Sequence, residues 1–211
     1  MTLSELVIRL LDVRPSGKRR LIAIAGAPAS GKSTLAEALA SAFQDAGHAA
    51  QVVPMDGFHL DNRLLDLAGT RARKGAPHTF DAAGFVALIQ RLRSQDTLYY
   101  PVFERDRDIS IAGAGHIDSS CKTVVIEGNY LLLDAPVWRD LGPLWDFSLF
   151  LDIPEAELER RLLARWHQHG LSDSAARQKA ETNDLPNARL VQRNSLAADL
   201  KLGPAEIDPF E

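Results

Sequence analysis

Short apolar runs and amphipathic stretches alternate along most of this chain. Four runs, at residues 21–25, 51–55, 123–126 and 147–151, are continuously apolar, and each stops at a glycine or an acid: Gly26, Asp56, Glu127 and Asp152. Continuous runs of this length predict strands buried on both faces, as in a parallel sheet. Between them, apolar positions recur with helical spacing at 32–45, 82–93 and 155–169. Strands that alternate with helices predict an α/β fold, built from right-handed βαβ units with helices on both faces of one sheet. A short run near 198–202 offers a fifth strand. Leu3, Leu6, Val7, Leu10 and Leu11 share one helical face, which predicts an amphipathic packing helix over residues 1–18. Stretches at about 57–80 and 103–120 read as loops long enough to be functional rather than connective. With no repeat, low-complexity tract or linker, one domain over residues 1–211 is the expectation.

Charge and cysteine content narrow the classes. The formal net charge is −4 and no basic run exceeds a few residues, so the concentrated positive face that long nucleic acid requires is not expected. A single cysteine, Cys121, cannot form an intramolecular disulfide and suggests a reducing compartment. The N-terminal apolar stretch is interrupted by Glu5 and Arg9 and its basic cluster follows rather than precedes it, unlike a secretory signal. No segment has the length to span a bilayer, so no membrane association is expected and the cytoplasm is the expected location.

One motif gives the pattern a chemistry. Gly26-Ala27-Pro28-Ala29-Ser30-Gly31-Lys32-Ser33 fits G-x-x-x-x-G-K-[ST] in full, and it lies between a predicted strand and a predicted helix. Its glycines let the backbone wrap a phosphate with successive N–H groups pointing inward, and the helix that follows adds its positive dipole end. A nucleoside triphosphate cradle is therefore expected from Gly26, Ala27, Ala29, Ser30, Gly31, Lys32, Ser33 and Thr34. Lys32 is expected on the β- and γ-phosphates, and the Ser33 hydroxyl on Mg²⁺. The fold expected around this motif is a P-loop NTPase: three αβα layers, a mainly parallel five-stranded sheet, and a helical lid at about 155–180.

Asp56 and Glu127 end two of the strands, and ligands of open α/β sheets sit at the carboxyl ends of strands. Acids placed there can hold Mg²⁺ or accept the proton of an attacking hydroxyl, although strand termination at the surface gives the same pattern. His59, three residues after Asp56, is a candidate hydrogen-bond partner for the acceptor.

At these residues the chain resembles the family of P-loop kinases that contains pantothenate kinase, uridine kinase and phosphoribulokinase. GAPASGKST, MDGFHLDN, RKGAPHTFD, YYPVFERDRD, VVIEGNYLLL and NDLPNARLV carry the resemblance over about residues 20–202. The DGF and KGxPxxFD pieces look closest to pantothenate kinase, whereas length and the ERDRD segment look more like bacterial fructokinase-like proteins associated with fructose transport. The resemblance implies ATP as phosphoryl donor, Asp56 as the base, Glu127 assisting Mg²⁺, and Arg161 and Arg165 on a lid helix over the phosphates. It also implies a small-molecule hydroxyl acceptor and a homodimer, since such relatives are often dimers or tetramers. Two departures from the uridine kinase pattern, Arg165-Trp166 for Arg-Asp and Gly57 after the implied base, set a nucleoside behind a sugar or pantothenate as acceptor.

Read without the family, Arg161 and Arg165 are four apart and share a helix face, where they can neutralise a transferring phosphoryl group or simply lie in solvent with Glu157 paired to Arg161. Arg71, Arg73 and Lys74 can recognise an anionic acceptor or form a solvated charge run. Glu104-Arg105-Asp106-Arg107-Asp108 alternates in sign; if extended it places three acids on one face, making Glu104 and Arg105 candidate acceptor contacts, and otherwise it is an exposed hairpin with cross-strand ion pairs. The histidines have no metal-site spacing: His167 and His169 diverge on their helix. A regulatory NTPase is the reading from a different class, and the absence of an N-K-x-D guanine signature weighs against it.

Overall fold

A computed structural model describes residues 2–207. The elements in chain order are α1 (Leu3–Leu11), β1 (Arg20–Gly26), α2 (Lys32–Asp45), β2 (Ala50–Pro54), α3 (Asn62–Leu67), α4 (Ala82–Ser94), β3 (Leu98–Glu104), β4 (Ile109–Ile117), β5 (Thr123–Gly128), β6 (Phe147–Leu151), α5 (Glu155–Gln168), α6 (Asp173–Lys179), α7 (Leu185–Asn194), β7 (Leu200–Leu202) and α8 (Pro204–Ile207). Five strands form one sheet in the order β2-β5-β1-β6-β7, and all its pairings are parallel. This is the expected α/β architecture, and 198–202 does supply the last strand.

The continuous apolar runs fill two cores at once. In β1, Leu21, Ala23 and Ala25 join a core with α4 and the segment 130–141, whereas Ile22 and Ile24 face a second core with α1, α2 and β6. Period-two alternation thus persists within Leu21–Ala25, a stretch with no polar residue, because both faces are covered.

Three expectations change. The N-terminal helix ends at Leu11, well short of residue 18. It begins with a capping box between Thr2 and Glu5, buries Leu6, Val7 and Leu10, and gives way to a link whose Ser16 amide donates to Asp146 Oδ1 at 2.9 Å. Asp56 is not the last residue of a strand: β2 stops at Pro54 and residues Met55–Phe58 form a 3₁₀ turn. The third change is at the loop expected at about 103–120, most of which belongs to an antiparallel hairpin, β3–β4, that spans 98–117 with its turn at 105–108. Glu104–Asp108 is therefore not extended: Asp108 sits at φ 55° and the Arg107 amide donates to Glu104 Oε1 at 3.2 Å.

The hairpin lies over the 3₁₀ turn, and the fit requires Gly57. A Cβ on that residue would stand 2.0 Å from the carbonyl oxygen of Pro101, an atom of the hairpin backbone that has no side-chain freedom to yield. Buried Arg19 braces the same side of the molecule, donating to the carbonyls of Leu92, Gln95, Asp96 and Asp118 and so joining three connections around β1. No helix among the described residues is long and apolar enough to cross a membrane.

Candidate active site

The sheet brings the site together through register. Ala25 pairs with Gly128 and Pro54 pairs with Glu127, so the ends of β1, β5 and β2 lie side by side. The loop from β1 to α2, the Glu127 carboxyl and the turn that carries Asp56 consequently open into one cleft.

The loop has the geometry its glycines permit. Gly31 takes φ 93° as the N-cap of α2, in the left-handed region that costs an L-residue about 1–2 kcal/mol; Ala29 is also left-handed, at φ 62°. Residues 28–34 line a cavity of about 210 Å³ together with Asp56, Arg105, Glu127, Asn129 and Arg165. Gly26 and Ala27 form its stem rather than its lining, and the Ala27 carbonyl accepts from Lys32 Nζ at 2.8 Å. Burial lowers the Lys32 ammonium pKa, partly offset by the nearby Glu127 and Asp56 carboxylates. Burial and repulsion from Asp56 raise that of Glu127, opposed by Lys32 and by a hydrogen bond with Ser33. The opposed shifts show that each charge needs the other in this buried site.

A second cavity of about 490 Å³ adjoins the first. Pro28, Asp56, Arg105, Asn129 and Arg165 line both and form the shared wall. On that wall Arg105 NH2 lies 3.6 Å from Asp56 Oδ2, and Arg165 NH2 lies 3.6 Å from Asp184 Oδ1. The volume suits a small metabolite. Aromatic rings supply its apolar surface: His59 lies between Phe80 and Phe103, with ring centroids at 4.0 and 4.6 Å, and Trp166 comes from the lid. Trp166 Nε1 donates to Asp184 at 2.7 Å, which fixes the indole edge.

His59 Nδ1 is 2.8 Å from the carbonyl oxygen of Asp56. A carbonyl can only accept, so Nδ1 carries the proton and Nε2 of the neutral ring is an acceptor. Burial lowers the His59 pKa, outweighing attraction from Asp56 and Asp108. A histidine held neutral in the folded chain contributes stability that is complete above its unfolded pKa, about 6.5, and is lost as pH falls through the folded value. The melting temperature of the wild type should therefore fall more steeply between pH 7.5 and 5.5 than that of His59→Asn, as read by thermal scans at matched ionic strength; equal slopes would remove this role for His59.

The predicted residues divide clearly. Lys32, Ser33, Asp56, His59, Arg105, Glu127 and Arg165 line one or both cavities. Glu104 lines neither; its side chain turns to Arg107 across the hairpin turn, which puts it with the ion-pair alternative. Arg161 also lines neither, and its Nε donates to Glu157 at 2.7 Å. The predicted lid is α5 and α6 followed by a π-helical turn, Ala180–Asp184, leading into α7.

Several residues at the site were not predicted. Asn183 Nδ2 donates to the Lys74 carbonyl at 2.8 Å, Arg73 donates to the Thr182 carbonyl and to Asn187 Oδ1, and Tyr130 OH donates to the Gly75 carbonyl at 2.5 Å. These bonds fasten the loop 69–79 to the turn below the lid. The NDLPNARLV segment carried the signal in its buried Asn183, Asp184 and Asn187, but Asn183 and Asn187 find their partners on the loop 69–79, more than a hundred residues away.

Residues 21–200 match the model of the Phosphoribulokinase / Uridine kinase family. A candidate uridine kinase of Schizosaccharomyces pombe is 31% identical over 208 residues, covering 94% of this chain and 88% of that one. The ATP-dependent kinase YFH7 of Saccharomyces cerevisiae is 32% identical over 198 residues, covering 74% of this chain and 56% of its own. The solved structure of a candidate fructose transport system kinase from Silicibacter is 52% identical, with a TM-score of 0.91 and coverage of 96% of this chain and 99% of that one. Motif, sheet order, paired cavities and family match agree: the chain belongs to the Phosphoribulokinase / Uridine kinase family and is an ATP-dependent P-loop kinase, a phosphotransferase with a hydroxyl acceptor.

Proposed function

We propose that this kinase phosphorylates a hydroxyl of a sugar or related small metabolite, in the manner of a fructokinase. The observation that carries the reading is the wall common to the two cavities, where Asp56 and two arginines stand between a phosphate cradle and a metabolite-sized pocket. The similarity to the Silicibacter protein supports a sugar in that pocket.

In this mechanism the backbone amides of residues 29–34 and the Lys32 ammonium hold the β- and γ-phosphates. Asp56 takes the proton of the acceptor hydroxyl as the oxygen attacks phosphorus. Arg105 and Arg165 face the phosphoryl group from both sides of the wall and balance its charge. His59 Nε2 accepts from a second acceptor hydroxyl. The donor set at the cradle suits Mg²⁺: the Ser33 hydroxyl and the Glu127 carboxylate are hard oxygens that line the same cavity. No cluster of three or more His, Cys, Asp or Glu able to hold a metal occurs among the described residues, as expected for an ion that relies on substrate phosphates for the rest of its shell. When bound, Mg²⁺ supplies charge neutralisation at the phosphates. Arg161 supports the lid through Glu157 rather than meeting the phosphates.

Product analysis tests the reading. Purified protein with MgATP and a panel of sugars, polyols, vitamins and nucleosides should yield ADP together with a phosphorylated sugar or sugar derivative, identified by mass. Release of inorganic phosphate alone across the panel would favour the regulatory NTPase, and a phosphorylated nucleoside would replace the sugar.

A further inference from the structure

The larger cavity has two chemically different ends. One is the wall shared with the phosphate cradle; the other is formed by Arg71, Lys74, Lys179 and Asn183, which also line a third cavity of about 330 Å³ and do not line the cradle. Charge at this second end is not balanced locally. Lys74 is committed to the fold: its Nζ donates to Asn62 Oδ1 at 2.7 Å and to the Asp108 carbonyl at 2.9 Å, and pairs with Asp108 Oδ1 at 2.8 Å. Those contacts use all three ammonium hydrogens.

Arg71 and Lys179 are committed differently. Arg71 reaches Asp66 at 3.2 Å, a carboxylate whose side chain is 59% exposed, and Asp108, already held by Lys74, only at 3.7 Å. A pair in such solvent contributes little and yields readily to a better partner. Lys179 stacks on the Trp166 ring at 4.3 Å and makes no close ion pair among the described residues, acting on Asp184 only at longer range. Elsewhere on the cavity wall each acid has its cation: Asp56 with Arg105, Asp108 with Lys74, Asp184 with Arg165. The most weakly committed positive charge belongs to Arg71, paired with an exposed carboxylate, and Lys179, which has no close ion pair among the described residues. They come from separate segments, one following α3 and the other ending α6 in the lid.

We propose that the acceptor is anionic: a hydroxyl compound bearing a phosphate monoester or a carboxylate, which Arg71 and Lys179 bind at the end of the cavity away from the cradle. The Arg71 guanidinium matches either group with paired N–H donors, and Lys179 adds a point charge from the lid side. Held there, the anion orients the rest of the molecule along the cavity toward Asp56. This inference rests on the kinase reading and narrows its substrate class.

Matched acceptor pairs test it, using the full chain with MgATP: hexoses beside their monophosphates, and polyols beside hydroxy acids of equal carbon number. The anionic member of a pair should have kcat/KM about tenfold to a hundredfold above the neutral one, the range of a charge-assisted hydrogen bond, and the two series distinguish phosphate from carboxylate. A neutral member that is equal or better overturns the inference and leaves the kinase intact. If no acceptor raises ATP consumption above hydrolysis, the kinase reading itself fails and the inference with it. Arg71→Gln and Lys179→Gln, both at exposed positions, should each raise the acceptor KM about tenfold while the ATP KM stays unchanged, with Arg71→Lys giving partial rescue. A rise in the ATP KM instead would assign these cations to the nucleotide and overturn the proposal.

Discussion

Asp56→Asn should lower kcat by about 10²–10⁴-fold, the usual contribution of a positioned general base, while nucleotide binding stays near wild type. Asparagine keeps the size of the side chain and its place on the 3₁₀ turn, whose geometry depends on Gly57 and the overlying hairpin rather than on the carboxylate. What is lost is the ability to take a proton at the wall between the two cavities. The loss should appear equally in kcat and kcat/KM, as for an interaction made only in the transition state. Steady-state kinetics with the acceptor identified by product analysis, together with a calorimetric titration of a non-hydrolysable ATP analogue, give both readouts. Unchanged turnover would remove the role of base from Asp56.

Lys32→Ala should act on binding and rate together. Lys32 is the buried cation of the cradle, with Glu127 and Asp56 as the negative charges that offset its desolvation. Deleting it removes the donor aimed at the phosphates, for which about 10²–10³-fold in rate is a reasonable scale by comparison with other transition-state donors. It also leaves the Glu127 carboxyl buried beside Asp56 without its cation, and an uncompensated buried charge is costly. The Glu127 pKa, already raised, should rise further so that the group stays protonated to higher pH. Lys32→Met, which preserves the side-chain volume, separates the lost charge from the lost packing. If both variants bind the ATP analogue normally and turn over at the wild-type rate, the assignment of Lys32 to the phosphates cannot stand.

Much of this site was legible because it depends on local order in the chain. A strand, a glycine-rich turn and a helix placed Lys32 and Ser33 without any tertiary information, and α2 occupies the span its periodicity predicts. Glu127 was equally accessible, since it lies in a strand whose apolar run shows burial on both faces. The hairpin was legible only as one of two readings at its turn, and its strands were hidden by composition: β4 carries Gly113 and Gly115, and the latter is bare because the Tyr100 ring packs where its Cβ would lie, 2.3 Å from the ring carbons. A glycine covered by a cross-strand aromatic has no apolar signature of its own. Arg105 and Glu104 could not be separated in sequence, because one turns toward Asp56 and the other toward Arg107 only once the turn at 105–108 is formed. Asn183, Asn187 and Tyr130 stand in matched segments, but their roles were illegible for a related reason. Each satisfies a group on the loop 69–79 that is brought near by the sheet and not by sequence.

The lid joins the main cores at its base, where Leu158 of α5 packs into the core of α1, α2 and β6, and beyond that point it stands on its own. Leu162, Ala180 and Leu185 form a small hydrophobic cluster of their own, touched by Ala29 of the nucleotide loop. A cluster of that size holds its helices with a small fraction of the free energy that keeps the central sheet closed. In amide hydrogen exchange, α5, α6 and the turn after them should lose protection through a local opening, while β1 and β5 wait for global unfolding. The same inequality should set the order of events at each turnover, with substrates passing as the roof lifts and the floor on which phosphorus moves staying in place.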